Sequence, residues 1–308
     1  MSERNQIPVA FITGSSRSGT TLLSNMLNAH SEIISCAENG FMSTHLHHFK
    51  GTGWSEAKTR KFMKHLWLAK RFYRSIWALN EDEILNELLQ KRERLNFQEV
   101  AKTLYSKYQG NNKQAKIYID KGPVYTDHLN AIHKQFPDSK FIVLVRDYRD
   151  RHYSLKGLKA HKKYKAVGLE GLSWYWHQQR CLRFEQEYPG KVLWVKYEAL
   201  IENTDEVLNS IFDFLGVSQE SLSDFHSTSP NFEALSHLPE TENFAKSHQK
   251  SSKPIDPKNL GKGLKKLSEA ELIQLENVCG GMGTKFGYER TTTGSGGGFK
   301  KFLSRMIW

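Results

Sequence analysis

The chain has 308 residues, with 44 Lys and Arg against 33 Asp and Glu and a formal net charge of +11. Its 25% charged and 38% apolar residues exclude a disordered chain and leave enough apolar surface for one large or two small cores. The basic balance points to an anionic partner, such as nucleic acid, anionic lipid or a phosphorylated or sulfated small molecule. Its three cysteines, at 36, 181 and 279, exclude a disulfide scaffold and a Cys-built metal site, and fit a reducing, cytoplasmic compartment.

The first eight residues, MSERNQIP, lack the charged and apolar regions of a signal peptide. No run of roughly 18 apolar residues offers a transmembrane helix. Val9 to Ile12 then read as a strand ending at Thr13, followed by a small, polar loop from Gly14 to Gly19. Thr20 opens a helix with Leu22, Leu23, Met26 and Leu27 on one face. Strand, Gly-bounded loop and helix together aim backbone N–H groups and the positive helix end at one point, which suits phosphate. Gly14 and Gly19 have the G-x-x-x-x-G spacing of a P-loop. The P-loop lysine is missing, however. Thr20 stands in its place, Thr21 keeps the hydroxyl position, and Arg17 is the cation of the loop. A γ-phosphate with its Mg²⁺ needs the lysine and the hydroxyl together, so the loop suits a shorter phosphate group without a bridging metal.

Ile33 to Ala37 read as a second strand, ending at Glu38. From 40 to 112 the chain is rich in Lys, Arg, His and aromatics with helical periodicity, Trp67, Phe72, Tyr73 and Trp77 among them. It reads as a helical insertion beside the sheet, closed by the turn Gly110-Asn111-Asn112. Lys116 to Asp120 form a third strand, broken by Lys121-Gly122-Pro123. Tyr125 to Phe136 read as a helix. Lys140 to Val145 (KFIVLV) are the unbroken apolar run of a strand buried on both faces. Helix Gly171 to Tyr188, strand Lys191 to Lys196 and helix Asp205 to Leu215, stopped by Gly216, complete the alternation. This order predicts a single α/β domain of the P-loop type over 1–290, with a mainly parallel central sheet flanked by helices and the insertion at 40–112. Ligands of such sheets sit at the carboxyl ends of the strands, where the Gly14 loop, Glu38, Lys121, Arg146 and Tyr197 fall. Residues 291–298 (TTTGSGGG) read as a flexible linker. Residues 299–308 (FKKFLSRMIW) read as a basic amphipathic tail suited to peripheral contact with an anionic membrane, at the inner face for a cytoplasmic protein. Three basic clusters, at 57–80, 156–165 and 246–266, reinforce the expectation of an anionic ligand.

Four segments in one order carry a resemblance: GSSRSGTTLL with Glu38 downstream, DKGP at 120–123, FIVLVRDYRDRHYS at 141–154 and VKYEAL at 195–200. Together they resemble the sulfotransferases that use 3′-phosphoadenosine-5′-phosphosulfate (PAPS). The match is closest to the branch holding protein-tyrosine sulfotransferases and many bacterial members. The resemblance implies PAPS as sulfuryl donor, no metal, and an acceptor bearing a hydroxyl. It places the 5′-phosphosulfate in the loop Ser15, Ser16, Arg17, Ser18, Gly19, Thr20 and Thr21, which accounts for a P-loop without its lysine. It places the 3′-phosphate on Arg146 and Ser154, Tyr197 near the adenine, and Lys121 on the transferring sulfuryl group or leaving phosphate. Glu38 is the implied general base, with His45, His47 and His48 as rivals. The HLHH cluster at 45–48 has no Cys or carboxylate spacing for a metal. Residues 251–262 (SSKPIDPKNLGK) resemble the late loop that folds over the cofactor, offering Ser252, Lys253 and Lys262. Gly261 stands there where the tyrosine-sulfating enzymes have Ser, so a carbohydrate, glycolipid or small-metabolite hydroxyl is the first expectation for the acceptor and protein tyrosine the alternative. A nucleotide-dependent kinase is disfavoured by the missing lysine. A basic nucleic-acid- or membrane-binding protein with a vestigial nucleotide site rests only on charge clusters, and no specific nucleic acid is expected.

Overall fold

The computed structural model describes residues 7–38, 40–69, 77–108, 115–157, 167–222, 225 and 255–293. Ser252, Lys253, the 299–308 tail, Phe72, Tyr73, the 110–112 turn and most of the 156–165 cluster lie outside them. The described strands are β1 (Val9–Gly14), β2 (Ile33–Ser35), β3 (Ile117–Lys121), β4 (Lys140–Val145) and β5 (Val192–Lys196). They form one sheet in the order β2-β3-β1-β4-β5, parallel at every pairing. The expected α/β architecture is therefore present.

The helices are α1 (Thr20–Ala29), then α2 (Phe41–His45), α3 (Glu56–Ala69), α4 (Glu81–Gln90) and α5 (Phe97–Ser106) between β2 and β3. These last four are the expected helical insertion. Asn80 and Asn96 cap α4 and α5, their side chains accepting from the N–H groups of Glu83 and Glu99. After β3 come a 3₁₀ turn (Pro123–Asp127) and α6 (Leu129–Gln135), and after β4 come α7 (Tyr148–Lys156) and α8 (Val167–Glu187). β5 is followed by α9 (Tyr197–Glu202) and α10 (Thr204–Leu215), and α11 (Lys262–Lys266) and α12 (Glu269–Gly283) close the fold.

Strand alternation sorts the core onto two faces. Ala10, Ile12, Ile142 and Leu144 meet Leu23, Met26 and Leu27 of α1 and Leu208, Ile211 and Phe212 of α10. Phe11, Tyr118, Phe141 and Val143 meet the aromatics of the insertion and Ile132 and Phe184. Phe11 is fully buried, with ring centroids of Phe136 and Phe141 at 5.6 and 5.4 Å. Its burial alone stabilises by about 2–3 kcal/mol. A third cluster packs Val145, Tyr148 and Trp174 on α12.

Several elements differ from the sequence expectation. β2 ends at Ser35 rather than Ala37, where the backbone is taken by Tyr108 and Trp77 instead of the sheet. Lys121 is the last residue of β3 rather than the first after it, because the β1–β3 ladder runs on to Ile12 opposite Lys121 and the Gly122 N–H donates to Ile12 C=O at 3.0 Å. The single helix expected over Tyr125 to Phe136 is a 3₁₀ turn and a short helix. Tertiary bonds hold the tight turn: Thr126 and Thr13 hydroxyls meet at 2.9 Å, and the Tyr125 hydroxyl donates to Asp120 at 3.0 Å. α8 begins at Val167, upstream of Gly171. That glycine lies inside the helix because a Cβ there would stand 3.2–3.3 Å from Val278 and Cys279 of α12. α11 and α12 have no counterpart in the periodicity, although the Ser268/Glu271 capping box that opens α12 is legible in the chain. Thr291 and Thr292, at the start of the expected linker, both donate to the buried carboxylate of Glu276.

Candidate active site

The strand register brings the carboxyl ends together. Gly14 pairs with Leu144, Ile12 with Lys121 and Val145 with Lys196. Gly14 ends β1 at φ 149°, and a Cβ on it would stand 2.5 Å from the Leu144 carbonyl oxygen. In the loop beyond, the Ser18 N–H donates to Ser15 C=O at 3.1 Å and the two hydroxyls meet at 2.7 Å. Ser15 and Ser18 are buried, Ser16 is exposed, and Arg17 takes a left-handed φ of 71°. Gly19 caps α1 at φ 94°, where a Cβ would strike the Tyr197 ring at 2.4 Å. One glycine therefore seats the loop on β4 and the other seats it on Tyr197. Arg151 Nε donates to Ser16 C=O at 3.0 Å and Arg146 Nη1 to Arg17 C=O at 3.1 Å. With those carbonyls engaged by guanidiniums, the loop presents the positive end of α1, which begins with Thr20 and Thr21.

Two arginines share this edge. Arg146, directly after β4, is 8% exposed and lies over the Tyr197 ring at 4.2 Å. Its Nη2 is 3.9 Å from Asp150, its buried Nε has no hydrogen-bond partner among the described residues, and its carbonyl accepts from Trp174 Nε1 at 2.8 Å. Arg17 Nε donates to Ser154 Oγ at 3.2 Å, which joins the loop to the second turn of α7. Burial, reinforced by Arg146, pushes the Arg17 guanidinium below its ordinary pKa. Burial pushes the Tyr197 phenol up, so that ring is neutral. Two guanidiniums drawn toward one point repel each other, and an anion bound between them removes that repulsion.

At the other side of the loop, Lys121 Nζ donates to Thr21 Oγ1 at 3.0 Å and to Glu38 Oε2 at 2.6 Å. The lysine side chain is 1% exposed and the glutamate 33%. This pair places a cation beside the anion cradle and a carboxylate open to an incoming group. A hydroxyl arriving at Glu38 can lose its proton there while negative charge leaving the cradle side is met by Lys121.

The structure therefore brings Ser15, Ser16, Arg17, Ser18, Gly19, Thr20, Thr21, Glu38, Lys121, Arg146, Ser154 and Tyr197 to one sheet edge. His45 is buried among Phe49 and Phe62, with Nδ1 at 3.2 Å from Phe41 C=O. His47 Nε2 meets His128 Nδ1 at 3.2 Å and His48 is exposed. Among the described residues no group of three His, Cys, Asp or Glu is arranged for a metal. Lys262 opens α11 and its Nζ donates to Asn259 Oδ1 at 2.7 Å. Sequence reasoning missed Asp150 and Arg151. Asp150 accepts from the Gly261 and Gly263 N–H groups at 2.8 and 2.6 Å and so fixes the late segment to α7. A Cβ on Gly263 would stand 2.3 Å from the Arg149 carbonyl carbon. The signal was available: 147, 150, 151 and 154 recur at helical spacing after a buried strand.

The family profile described as "Sulfotransferase family" matches residues 8–221. Protein-tyrosine sulfotransferase 1 of Danio rerio is 26% identical over an alignment of 219 residues that covers 68% of this chain and 54% of that protein. The chain spans about half the length of such curated relatives. The sulfotransferase domain of the Synechococcus PCC 7002 olefin synthase shares the fold with a TM-score of 0.57 at 24% identity, covering 87% of this chain and 92% of that one. The sulfotransferase domain of the curacin biosynthetic pathway has the same TM-score at 20% identity, covering 92% and 99%.

Proposed function

The chain belongs to the sulfotransferase family, and on that premise we propose that it transfers a sulfuryl group from PAPS to an acceptor hydroxyl. The observation that carries this reading is Lys121, whose one amine reaches both Glu38 at 2.6 Å and the loop's Thr21 at 3.0 Å. A cation is thereby held between a base and an anion cradle, as in-line group transfer requires.

The residues suit both ends of such a donor. The cradle from Ser15 to Thr21 lacks the lysine a γ-phosphate would need. Arg146, whose buried Nε has no partner among the described residues, and Ser154 beside Arg17 offer a second anion seat for a 3′-phosphate. Tyr197 stands at the adenosine end in this reading, and Lys262 is the candidate contact from the late segment. When bound, PAPS supplies the activated sulfuryl group. Glu38 takes the proton of the acceptor hydroxyl as the new O–S bond forms. The S–O bond to the 5′-phosphate breaks with its electron pair going to that phosphate. Lys121 and the positive end of α1 neutralise the charge that collects there. His45 is enclosed by aromatic rings, which leaves Glu38 as the better placed base.

The acceptor we propose is a carbohydrate, glycolipid or small-metabolite hydroxyl. Protein tyrosine is the second reading, favoured by the name of the Danio rerio relative. Incubating the purified chain with PAPS and a cell extract, followed by mass spectrometry for added SO₃, tests both. The expected result is an O-sulfated product whose formation is strongly slowed, to a residual but measurable rate, in Glu38→Gln and Lys121→Ala. A wild-type chain that binds adenosine 3′,5′-bisphosphate but sulfates nothing refutes the reading.

A further inference from the structure

Glu38 follows a residue that is gripped from outside the sheet. The Ala37 N–H donates to the Tyr108 hydroxyl at 3.1 Å, and the Ala37 carbonyl accepts from Trp77 Nε1 at 2.9 Å. Both aromatics belong to the insertion between β2 and β3, and both are buried, Tyr108 at 1% and Trp77 at 0% exposure. Their rings meet edge to face, with centroids 5.1 Å apart. One residue earlier, the Cys36 N–H still donates to Ile119 C=O at 2.8 Å. The sheet thus holds the chain up to Cys36, the insertion takes over at Ala37, and the next side chain is the carboxylate on Lys121.

Two further features mark this grip as built. Burial pushes the Tyr108 phenol well above its ordinary pKa, so the hydroxyl stays neutral and serves as an acceptor to the Ala37 N–H. Ala78, directly after Trp77, sits at φ 51°, a left-handed conformation that costs a non-glycine residue free energy. The strained turn accompanies the placing of the Trp77 indole N–H at the Ala37 carbonyl.

We infer that Trp77 and Tyr108 are positioning residues for Glu38, so that the acceptor-side insertion sets the distance between the base and Lys121. The inference rests on the functional reading above for the role of Glu38, but the grip itself is geometric. An acceptor that packs against the insertion acts on the base through Ala37, which couples acceptor binding to proton removal. The donor cradle, built on β1, β4 and α7, is untouched by this contact.

The test uses Tyr108→Phe, which keeps the ring and removes the hydroxyl, and Trp77→Phe as a second variant should the first fail to fold. Each is combined with Glu38→Gln. With acceptors from the mass-spectrometric assay, each variant is expected to lower kcat by about 10-fold to 100-fold, the cost of misplacing a reacting group by up to an ångström. Affinity for adenosine 3′,5′-bisphosphate and KM for PAPS are expected to stay within about twofold. In the Glu38→Gln background the same substitutions are expected to cost nothing more, because a residue acting through Glu38 has nothing left to position. A full loss in both backgrounds, or no loss in either, overturns the inference while leaving the functional reading intact. Crystal structures of the wild type and Tyr108→Phe give a readout independent of activity. The Glu38–Lys121 pair is expected at 2.6 Å in the first and displaced in the second, and an unchanged pair also overturns the inference.

Discussion

Arg146→Ala separates the two anion seats. Arg146 is 8% exposed, and its guanidinium stacks on Tyr197 at 4.2 Å and donates to the Arg17 carbonyl at 3.1 Å, while its Nε has no hydrogen-bond partner among the described residues. A phosphate at this edge gains a charge-assisted pair with a forked donor, worth about 3 kcal/mol when two such bonds form out of water. At about 1.4 kcal/mol per decade, the substitution is expected to weaken adenosine 3′,5′-bisphosphate binding by roughly 100-fold. AMP, which lacks the 3′-phosphate, is expected to lose less than about fivefold, because its 5′-phosphate is held by the loop and the end of α1. Folding stability is expected to change little. The protein loses the Arg17 carbonyl bond and the Tyr197 stack, but it also loses a like charge that depresses the Arg17 pKa. Calorimetric titration of both nucleotides against wild type and variant, with thermal unfolding alongside, reads all three quantities. Equal losses for bisphosphate and AMP, or no loss for either, would refute the assignment of Arg146 to a 3′-phosphate.

Gly19→Ala is expected to abolish detectable bisphosphate binding and to destabilise by about 1–3 kcal/mol, since its Cβ would meet Tyr197 at 2.4 Å in a backbone at φ 94°. Urea unfolding with a parallel binding titration checks it, and an alanine variant that binds normally contradicts the seating of the loop on Tyr197. Asp120 governs a pH effect. It is fully buried, Oδ2 accepts from Tyr105 and Tyr125 hydroxyls at 2.8 and 3.0 Å, and burial pushes its carboxyl from 3.8 up to about 6. Because the folded protein holds this proton more tightly than the unfolded chain, stability from this group falls as pH rises from about 4 to about 6 and is level above. Asp120→Asn is expected to remove that fall, up to about 3 kcal/mol at 1.36 kcal/mol per pH unit. Denaturation of both proteins at several pH values reads the difference, and parallel stability profiles across that window count against the buried charge.

The local grammar of the chain was legible because it is written in short-range patterns. The apolar runs of β1 and β4, the helical stripe after Thr20 and the alternation of strands with helices dictate a parallel sheet. Such a sheet collects Gly14 to Gly19, Glu38, Arg146 and Tyr197 at its carboxyl edge. The missing P-loop lysine was equally visible, since Thr20 occupies its position in the sequence itself. The 3₁₀ turn after Gly122 was not legible, because Thr13 and Asp120 hold it from β1 and β3 and helix periodicity knows nothing of such partners. Nor was the docking of Gly261 and Gly263 on Asp150, a contact across more than a hundred residues.

By itself the sequence determined the fold class, the glycine-bounded loop between β1 and α1 and the residue types at its rim, all set by backbone propensity and apolar period. Only the tertiary structure decided what those residues do to one another. It seats Gly19 on Tyr197, turns Arg146 and Arg151 onto the loop carbonyls, gives Lys121 to both Thr21 and Glu38, and hands Ala37 to Trp77 and Tyr108. The reason is physical: hydrogen bonds and charge pairs fall off over a few ångströms, and which groups come that close is fixed by strand register and packing, not by distance along the chain.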